Sequence, residues 1–246
     1  MPLSEPPSLR SGPVPAIRKW DTCVRLRAAR QHLKELRTII ALIDYGMGNL
    51  ASVWRGLERA GGHVRLTDDP RDVGAANGVV LPGVGAFGQC VHNLKDRGLF
   101  EPVREAAHSG KPFLGICLGL QVLFESSEEA PGVRGLGVLE GTVKRFAPGL
   151  HVPHMGWNQV RLVGDTPLLG GIADGDFFYF VHSYYPVPDD PDARATVTEY
   201  GIEFTSSVQR GNLFASQFHP EKSQAKGLTI LRNFVSLVGG QAGTAP

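Results

Sequence analysis

The sequence predicts an α/β fold, a three-layer sandwich in which a central, mostly parallel sheet carries helices on both faces and a smaller antiparallel sheet lies beside it. Up to about residue 125, short β-branched runs alternate with segments of helical period. Glycines stand at the turns that follow those runs. Beyond residue 125 the chain consists of strand-like pieces with Gly- and Pro-rich connections, which are typical of antiparallel strands.

Four strands are predicted in the first half of the chain. The first precedes a helical period from Leu50 to Leu57, and a helical stretch closed by Gly110 precedes the fourth. After the fourth strand the pattern is again helical as far as Glu125. The four strand sequences are IIALID, HVRLT, GVVLPG and KPFLGI. Because ligands of parallel sheets collect beyond the carboxyl ends of the strands, the loops after these strands are the expected functional loops.

The second half contains five strand-like segments and a final helix. That amphipathic helix runs from about Ser223 to a stop at Gly239 and Gly240. The five segments are LGVLEGTVKRF, FFYFVHSYYPV, ARATVTEY, IEFTSSVQ and LFASQF. Residues 38–240 are therefore predicted to form one domain, followed by a tail over 241–246.

Residues 1–37 differ in composition from the rest of the chain. They are basic and begin with a stretch rich in Pro and Ser that has no periodicity, while residues 18–37 have the pattern of a short basic helix. We interpret them as a flexible, dispensable extension or as the result of a misplaced start codon. An organelle transit peptide is the alternative, although the early prolines and the acidic residues Glu5 and Asp21 weaken it.

The overall composition excludes several classes of function. A formal net charge of +1 gives no general attraction to nucleic acid, and no apolar stretch reaches the ~18–20 residues that cross a bilayer. Three cysteines without metal-ligand spacing predict no metal site and favour a reducing, cytoplasmic location. The segment DYGMGNL lacks the third glycine of a dinucleotide motif, and Asn49 is an alternative helix cap there, so no cofactor is expected.

Cys117 is the candidate nucleophile. It lies between a predicted strand and a helical pattern, with Gly115 and Gly119 two positions on either side, which matches a nucleophile elbow. Small flanking residues allow the strained turn, and a helix start would favour the thiolate through its N–H groups and dipole. The alternative is a buried structural cysteine, the interpretation that we give to Cys23 and Cys90.

A cysteine nucleophile requires a base and donors for the developing oxyanion. His219 is the candidate base, with Glu221 two positions on in an extended segment to orient it, and His182 is the main competitor. Leu118, directly after the nucleophile, is expected to supply one oxyanion N–H. Val84, in the glycine-rich segment LPGVGAFG, is expected to supply the second, unless that segment is only a tight connection.

With GICLGLQ, PGVG and HPEKS in this order, the chain resembles the class I glutamine amidotransferases over about residues 38–238. The segments IALIDYGMGNL, LPGVGAFG, PHMGWN and FVHSYY make it most similar to the glutaminase subunits of imidazole glycerol phosphate synthase. The resemblance implies the flavodoxin-like fold of that family. It also implies hydrolysis of L-glutamine to glutamate and ammonia through a thioester on Cys117.

The resemblance further implies which residues bind glutamine. Gln121 and Glu129 would hold its zwitterionic head, and the other lining residues would be Gly85, His182, Ser183 and Tyr184. Each of them has a plain structural alternative, as a helix polar residue, part of a solvated loop or part of a turn.

The family also implies a partner. Ammonia would pass to a cyclase subunit, a (β/α)8 barrel in a heterodimer, which forms imidazole glycerol phosphate and an aminoimidazole carboxamide ribotide. Core and turn packing is the alternative role for the residues expected at the shared face. Those residues are Tyr45, Gly46, Met47, Gly48, Asn49, His154, Met155, Gly156, Trp157, Asn158 and Lys222.

Two rival functions fit parts of the same pattern. A cysteine peptidase with the same elbow would act on peptides and not on glutamine. A non-catalytic regulator would keep the fold after loss of its catalytic residues, but Cys117, His219 and Glu221 are all present.

Overall fold

The computed structural model describes residues 38–240 of the chain. The predicted basic helix of residues 18–37 and the tail 241–246 lie outside the described residues, and the domain bounds stay a prediction. Within residues 38–240, no helix is long and apolar enough to cross a membrane. In the same part of the chain, no group of His, Cys, Asp and Glu side chains is arranged to hold a metal ion.

An eight-stranded sheet forms the centre of the part that the structure describes. The first five strands across the sheet pair in parallel, and the last three are added antiparallel. This confirms the predicted mostly parallel sheet. In spatial order the strands are β2 (His63–Thr67), β1 (Ile39–Ile43), β3 (Gly78–Leu81), β4 (Phe113–Ile116), β13 (Leu213–Ser216), β12 (Glu203–Arg210), β11 (Arg194–Glu199) and β8 (Arg161–Leu162).

Two smaller sheets accompany the central one, where the sequence predicted a single antiparallel sheet. The strand pair β7 (His154–Gln159) and β9 (Phe177–His182) is antiparallel. The second small sheet is mixed, because β6 (Leu139–Arg145) pairs antiparallel with β10 (Tyr184–Pro188) and parallel with β5 (Phe124–Ser127). The parallel pair arises because the chain crosses over between β5 and β6 and does not turn back in a hairpin.

Helices cover both faces of the central sheet, as predicted. Alternate residues of the buried strands point to opposite faces, so Ala41 and Ile43 pack against one helix layer and Ile40 and Leu42 against the other. Burying one such Leu or Ile side chain stabilises the fold by about 1.5–3 kcal/mol. The helices are α1 (Leu50–Arg59), α2 (Pro70–Ala75), α3 (Phe87–Asp96), α4 (Phe100–His108), α5 (Leu118–Gln121) and α6 (Gln224–Val238).

Two helices differ from the sequence prediction. The short helix α2 was not predicted; Pro70 is its first residue, and the Asp69 side chain caps it by accepting from the Arg71 N–H at 2.9 Å. The helix after Cys117 was expected to extend to Glu125, but α5 is a single turn. The carbonyl groups of Val122 and Leu123 accept hydrogen bonds from the distant segment 136–139. These tertiary bonds replace the continuation of the helix.

The chain turns sharply between β4 and α5. Cys117 has φ of 56° and ψ of −108°, a backbone conformation that is strained for a residue with a Cβ. A Cβ at Gly119 would lie 1.9 Å from the Leu81 carbonyl oxygen, and one at Gly115 would lie 2.9 Å from the Ala215 Cβ. The two glycines are therefore required by close approach of neighbouring strands, and the strained residue is the cysteine itself.

We predict that Gly119→Ala lowers the free energy of unfolding by more than about 2 kcal/mol, because the new methyl group overlaps the Leu81 carbonyl. Chemical denaturation measures this difference. Gly74→Ala in helix α2 is the matched control, because nothing lies within 4 Å of a Cβ there. The control should be neutral or stabilising by about 0.4–1 kcal/mol, and equal losses in the two variants would contradict the prediction.

Candidate active site

The pairing of β4 with β13 brings the predicted nucleophile and base together. The two strands are parallel neighbours, with Ile116 opposite Ser216. The Cys117 N–H donates to the Ser216 carbonyl at 2.7 Å, one residue beyond the sheet. Cys117 and the segment from Gln217 to His219 therefore leave the same sheet edge side by side.

The Cys117 side chain is almost completely buried, with 6% of its surface exposed. Its Sγ lies 3.6 Å from Nε2 of Gln217 and 3.9 Å from the Val181 carbonyl oxygen. Since α5 has only one turn, the dipole contribution that the sequence suggested is small. The local N–H groups remain, because neither Leu118 nor Gly119 donates to a backbone carbonyl of residues 38–240.

His219 and Glu221 form a buried pair. Nδ1 of His219 and Oε1 of Glu221 are 2.8 Å apart, and the two side chains are 2% and 1% exposed. An ionised carboxylate only accepts hydrogen bonds, so Nδ1 of His219 is the donor. His219 Nε2 is buried and has no hydrogen-bond partner among residues 38–240. The imidazole is thus oriented by one nitrogen and free to exchange a proton at the other.

The electrostatic surroundings of His219 favour its charged form. Burial lowers its pKa, but the negative charge of the Cys117 sulfur and the hydrogen bond and charge of Glu221 outweigh that effect. Together they raise the pKa of His219 from 6.5 to about 10. His219 Nε2 makes no hydrogen bond of normal geometry to the sulfur, so we assign the effect of Cys117 mainly to charge. The arrangement therefore favours the imidazolium form of His219.

A cavity of about 320 Å³ opens beside Cys117. It collects every residue that the sequence associated with the oxyanion and with glutamine. The lining residues are Val84, Gly85, Cys117, Leu118, Gln121, Glu129, Pro153, Val181, His182, Ser183 and Tyr184. The loop after β3, the elbow after β4 and the end of β9 therefore meet at one site.

Two polar residues of the cavity are held by hydrogen bonds. Glu129 Oε2 accepts from the N–H of Phe87, the first residue of α3, at 2.7 Å. Gln121 Nε2 donates to the Tyr184 carbonyl and to Gln217 Oε1, both at 3.0 Å. Both contacts fix the side chains at the cavity wall.

Sequence reasoning missed Gln217, whose amide contacts the sulfur. The available signal was its position, since residues two apart in an extended segment point to the same side and Gln217 precedes His219 by two. Pro153 and Val181 of the cavity wall were also missed, and no chemical pattern in the sequence marks them.

His182 is part of a histidine pair and is poorly suited to act as the base. Its Nδ1 lies 2.8 Å from the Tyr184 carbonyl oxygen, which only accepts, so Nδ1 donates. Its Nε2 must then accept from Nδ1 of His154 at 2.9 Å, and His154 Nε2 accepts from Asn158 Nδ2 at 3.2 Å. Both ring nitrogens of His182 are occupied, which favours His219 as the base.

The histidine pair is held neutral. Burial is the main cause that lowers the pKa of His154 to about 4 and that of His182 to about 3. His154 also stacks between the rings of Phe180 and Tyr200, with centroid distances of 4.9 and 4.0 Å. The pair connects β7 to the cavity wall without carrying charge.

Most of the residues expected at a partner interface are exposed or half-buried, and two are buried. Met155 and Trp157 are 61% and 45% exposed, and Lys222 is exposed with its Nζ 5.6 Å from the Tyr179 ring centroid. Gly46 is also exposed, and the remaining members of the exposed or half-buried group are Met47, Gly48, Asn49, Gly156 and Asn158. Asn49 lies at the N-cap of α1 but makes no capping bond with its side chain.

Tyr45 and His154 require a correction. Tyr45 is fully buried and its hydroxyl donates to the Pro82 carbonyl at 2.8 Å, while His154 is only 4% exposed. Neither side chain lies on a surface that a partner could contact. Tyr45 instead packs beneath the loop that carries Val84, because its hydroxyl supports the residue at which that loop begins.

Comparison with known proteins shows the family to which the chain belongs. The family model for glutamine amidotransferase class-I matches residues 41–237. The chain belongs to the class I glutamine amidotransferase family. The predicted family, fold and enzymatic character are confirmed by this match.

Relatives of similar sequence indicate the branch of the family to which this amidotransferase belongs. A protein of Moorella thermoacetica named imidazole glycerol phosphate synthase subunit HisH is 56% identical over 206 residues, which cover 83% of this chain and 98% of the relative. A HisH subunit of Methanothermobacter thermautotrophicus is 50% identical over 200 residues, covering 81% and 99%. The chain is thus a member of the HisH branch, whose proteins are subunits of a complex.

Solved structures support the fold of the amidotransferase. A structure described as a glutamine amidotransferase superimposes with a TM-score of 0.63 at 20% identity, covering 81% of this chain and 98% of that one. PurLQS from Thermotoga maritima gives a TM-score of 0.65 at 19% identity, with the same coverage. At such identities the likeness concerns the fold alone.

We predict that stability falls with acid between about pH 6.5 and pH 3 through the histidine pair, with the contribution of His154 complete near pH 4. Both histidines have lowered pKa values in the folded protein, so the unfolded chain binds more protons below its ordinary histidine pKa of about 6.5. Each histidine contributes up to about 1.4 kcal/mol per pH unit. Urea denaturation at several pH values measures the slope.

The slope should be shallower in His154→Gln, which removes one titrating group and leaves an amide in its place. The exposed His92, in helix α3, supplies the control His92→Gln, which should keep the slope of the unmodified protein. The same slope in all three proteins would contradict the neutral histidine pair.

Proposed function

We propose that the chain is the glutaminase subunit of an imidazole glycerol phosphate synthase, and that it hydrolyses L-glutamine through a thioester on Cys117. The observation that carries this proposal is that the strand pairing brings the His219–Glu221 pair to Cys117, whose side chain lines the cavity. The HisH relatives support the assignment to this complex.

The first half of the reaction forms the thioester. His219 Nε2 takes the Cys117 proton, and the ionised sulfur attacks the side-chain amide carbon of glutamine, so that a C–S bond forms and the carbonyl oxygen becomes an oxyanion. The N–H groups of Leu118 and Val84 are the proposed donors to that oxygen. Collapse of the intermediate breaks the C–N bond, and His219 returns its proton to the departing ammonia.

The second half releases glutamate. Water attacks the thioester carbon while His219 Nε2 accepts a water proton, and collapse of the new oxyanion breaks the C–S bond and restores the sulfur. Glu221 keeps Nδ1 of His219 engaged in both halves, so Nε2 is always the nitrogen that exchanges protons. Glu221 stabilises the imidazolium that protonates ammonia, through its hydrogen bond and its charge.

The cavity fits a free amino acid better than a polypeptide. Its volume of about 320 Å³ is near the lower end for small-molecule sites. Glu129 and Gln121 would hold the zwitterionic head of glutamine, with Gly85 and the segment 182–184 completing the wall. The small volume disfavours a peptidase, which needs a longer groove for an extended chain.

The proposed partner is a cyclase with a (β/α)8 barrel. Exposed Met155 and Trp157 on β7 supply apolar surface, and Lys222 adds a positive charge. Large apolar side chains exposed together are typical of protein contact surfaces. Ammonia released at Cys117 would cross this face to the cyclase, which forms imidazole glycerol phosphate and the aminoimidazole carboxamide ribotide.

We predict that Cys117→Ala abolishes glutamine-dependent synthesis by the complex, with a loss of at least about 10³-fold, because no thioester forms. Synthesis from added ammonium should persist, since the fold and the partner contact remain. Cys90→Ala is the control: that thiol is buried in α3 and burial raises its pKa to about 12, so this variant should keep both activities. Persistence of glutaminase activity in Cys117→Ala would refute the proposed mechanism.

We also predict that glutaminase activity depends on the loaded partner if the Val84 amide must turn inward to complete the oxyanion hole. Val84 is 38% exposed, so its side chain is not fixed in the core. The next residue, Gly85, has φ of 102°, a left-handed backbone conformation that favours glycine. Glutaminase rates measured alone, with the cyclase, and with the cyclase and its ligand test this. Three equal rates would contradict the proposed activation by the partner, but not the roles of Cys117, His219 and Glu221.

A further inference from the structure

Gln217 joins the proposed nucleophile to the proposed glutamine site. Its side chain is fully buried, and Nε2 lies 3.6 Å from Sγ of Cys117. Its Oε1 accepts a hydrogen bond from Nε2 of Gln121 at 3.0 Å. One amide thus contacts both the sulfur and a residue of the cavity wall.

The orientation of the Gln217 amide follows from its neighbours. The Tyr184 carbonyl oxygen only accepts, so the Gln121 atom bonded to it at 3.0 Å is the NH₂ group. That NH₂ group also contacts Gln217, which must present its oxygen there and its own NH₂ to the sulfur. Reversing the Gln217 amide would set two donors against each other in a buried site, which is unfavourable.

We propose that Gln217 is a positioning residue that donates an N–H to the Cys117 thiolate and so stabilises and aims the sulfur. The inference rests on the proposed function of Cys117 as the nucleophile. A hydrogen bond to an ionised group is stronger than a neutral one, and it is stronger still where water is excluded. The Gln217 amide then supplies a hydrogen bond to the thiolate, while the His219 imidazolium, two residues on in the same extended segment, acts on it through charge.

A second consequence concerns Gln121. Its amide is fixed by hydrogen bonds to Gln217 Oε1 and to the Tyr184 carbonyl. Hydrogen bonds therefore connect the Cys117 sulfur to Gln217, and Gln217 to Gln121. These bonds set the distance between the sulfur and this part of the glutamine site. The Gln217 backbone is held separately, because its N–H donates to the Ser206 carbonyl at 2.8 Å. Changing the side chain therefore leaves the backbone anchor intact.

The experiment measures the rate of alkylation of Cys117 by iodoacetamide as a function of pH in the full chain, with mass spectrometry locating the modified residue. In Gln217→Leu the midpoint should rise by about one pH unit, because the thiolate loses one charge-assisted hydrogen bond. In the nearly isosteric Gln217→Glu it should rise at least as far, because a carboxylate oxygen would face the sulfur. The kcat for glutamine hydrolysis should fall about 10-fold in Gln217→Leu.

Gln121→Leu separates positioning from substrate binding. This variant should raise KM for glutamine and shift the alkylation midpoint less than Gln217→Leu does, because the Gln217 N–H is still present. A purely structural role for Gln217 would lower stability in Gln217→Leu without moving the alkylation midpoint. An unchanged midpoint in both folded Gln217 variants overturns the inference.

A measurement on the unmodified protein covers the case in which Gln217→Leu does not fold. The side-chain amide resonance of Gln217, observed by ¹⁵N NMR, should shift with the same pH midpoint as alkylation of Cys117. A resonance that is insensitive to that titration also overturns the inference. Failure of the proposed function is seen separately, as glutaminase activity that persists in Cys117→Ala.

Discussion

The parallel pairing of β4 with β13 is the constraint on which the site depends. Cys117 and Gln217 are separated by 100 residues along the chain, and the strand register places them next to each other at one sheet edge. A shift of the register by one residue would turn the side chains of β13 to the opposite face. The elbow would then present its sulfur to a different part of the chain, without His219.

The site also contains a buried pair of ionisable side chains. The His219 and Glu221 side chains are almost fully buried, and Glu221 Oε2 has no hydrogen-bond partner among residues 38–240. Burying charged groups costs free energy unless they are paired, and the pairing here is incomplete. The strained backbone of Cys117 adds about 1–3 kcal/mol. Buried ionisable groups with incomplete pairing, next to a strained residue, are typical of catalytic sites and do not stabilise the fold.

Local sequence signals predicted the parts of the site in which backbone geometry alone limits the residue type. Gly115 and Gly119 marked the elbow because the chain cannot approach its neighbours there with a side chain. The spacing of His219 and Glu221 predicted a pair because alternate residues of an extended segment face the same way. Strands β1, β3 and β4 were predicted because their residues are buried on both faces and read as continuous apolar runs.

The sequence by itself determined the alternating α/β frame, the elbow at Cys117 and the order of the motifs, because each depends on residues close together in the chain. Only the tertiary structure decided that α5 stops after one turn, that Tyr45 and His154 are buried, and that the Gln217 amide contacts the sulfur. Those outcomes depend on partners far away in sequence: the segment 136–139, the Pro82 carbonyl and the Gln121 side chain. Hydrogen bonds between distant segments carry no local pattern, so packing alone selects among the conformations that the sequence permits.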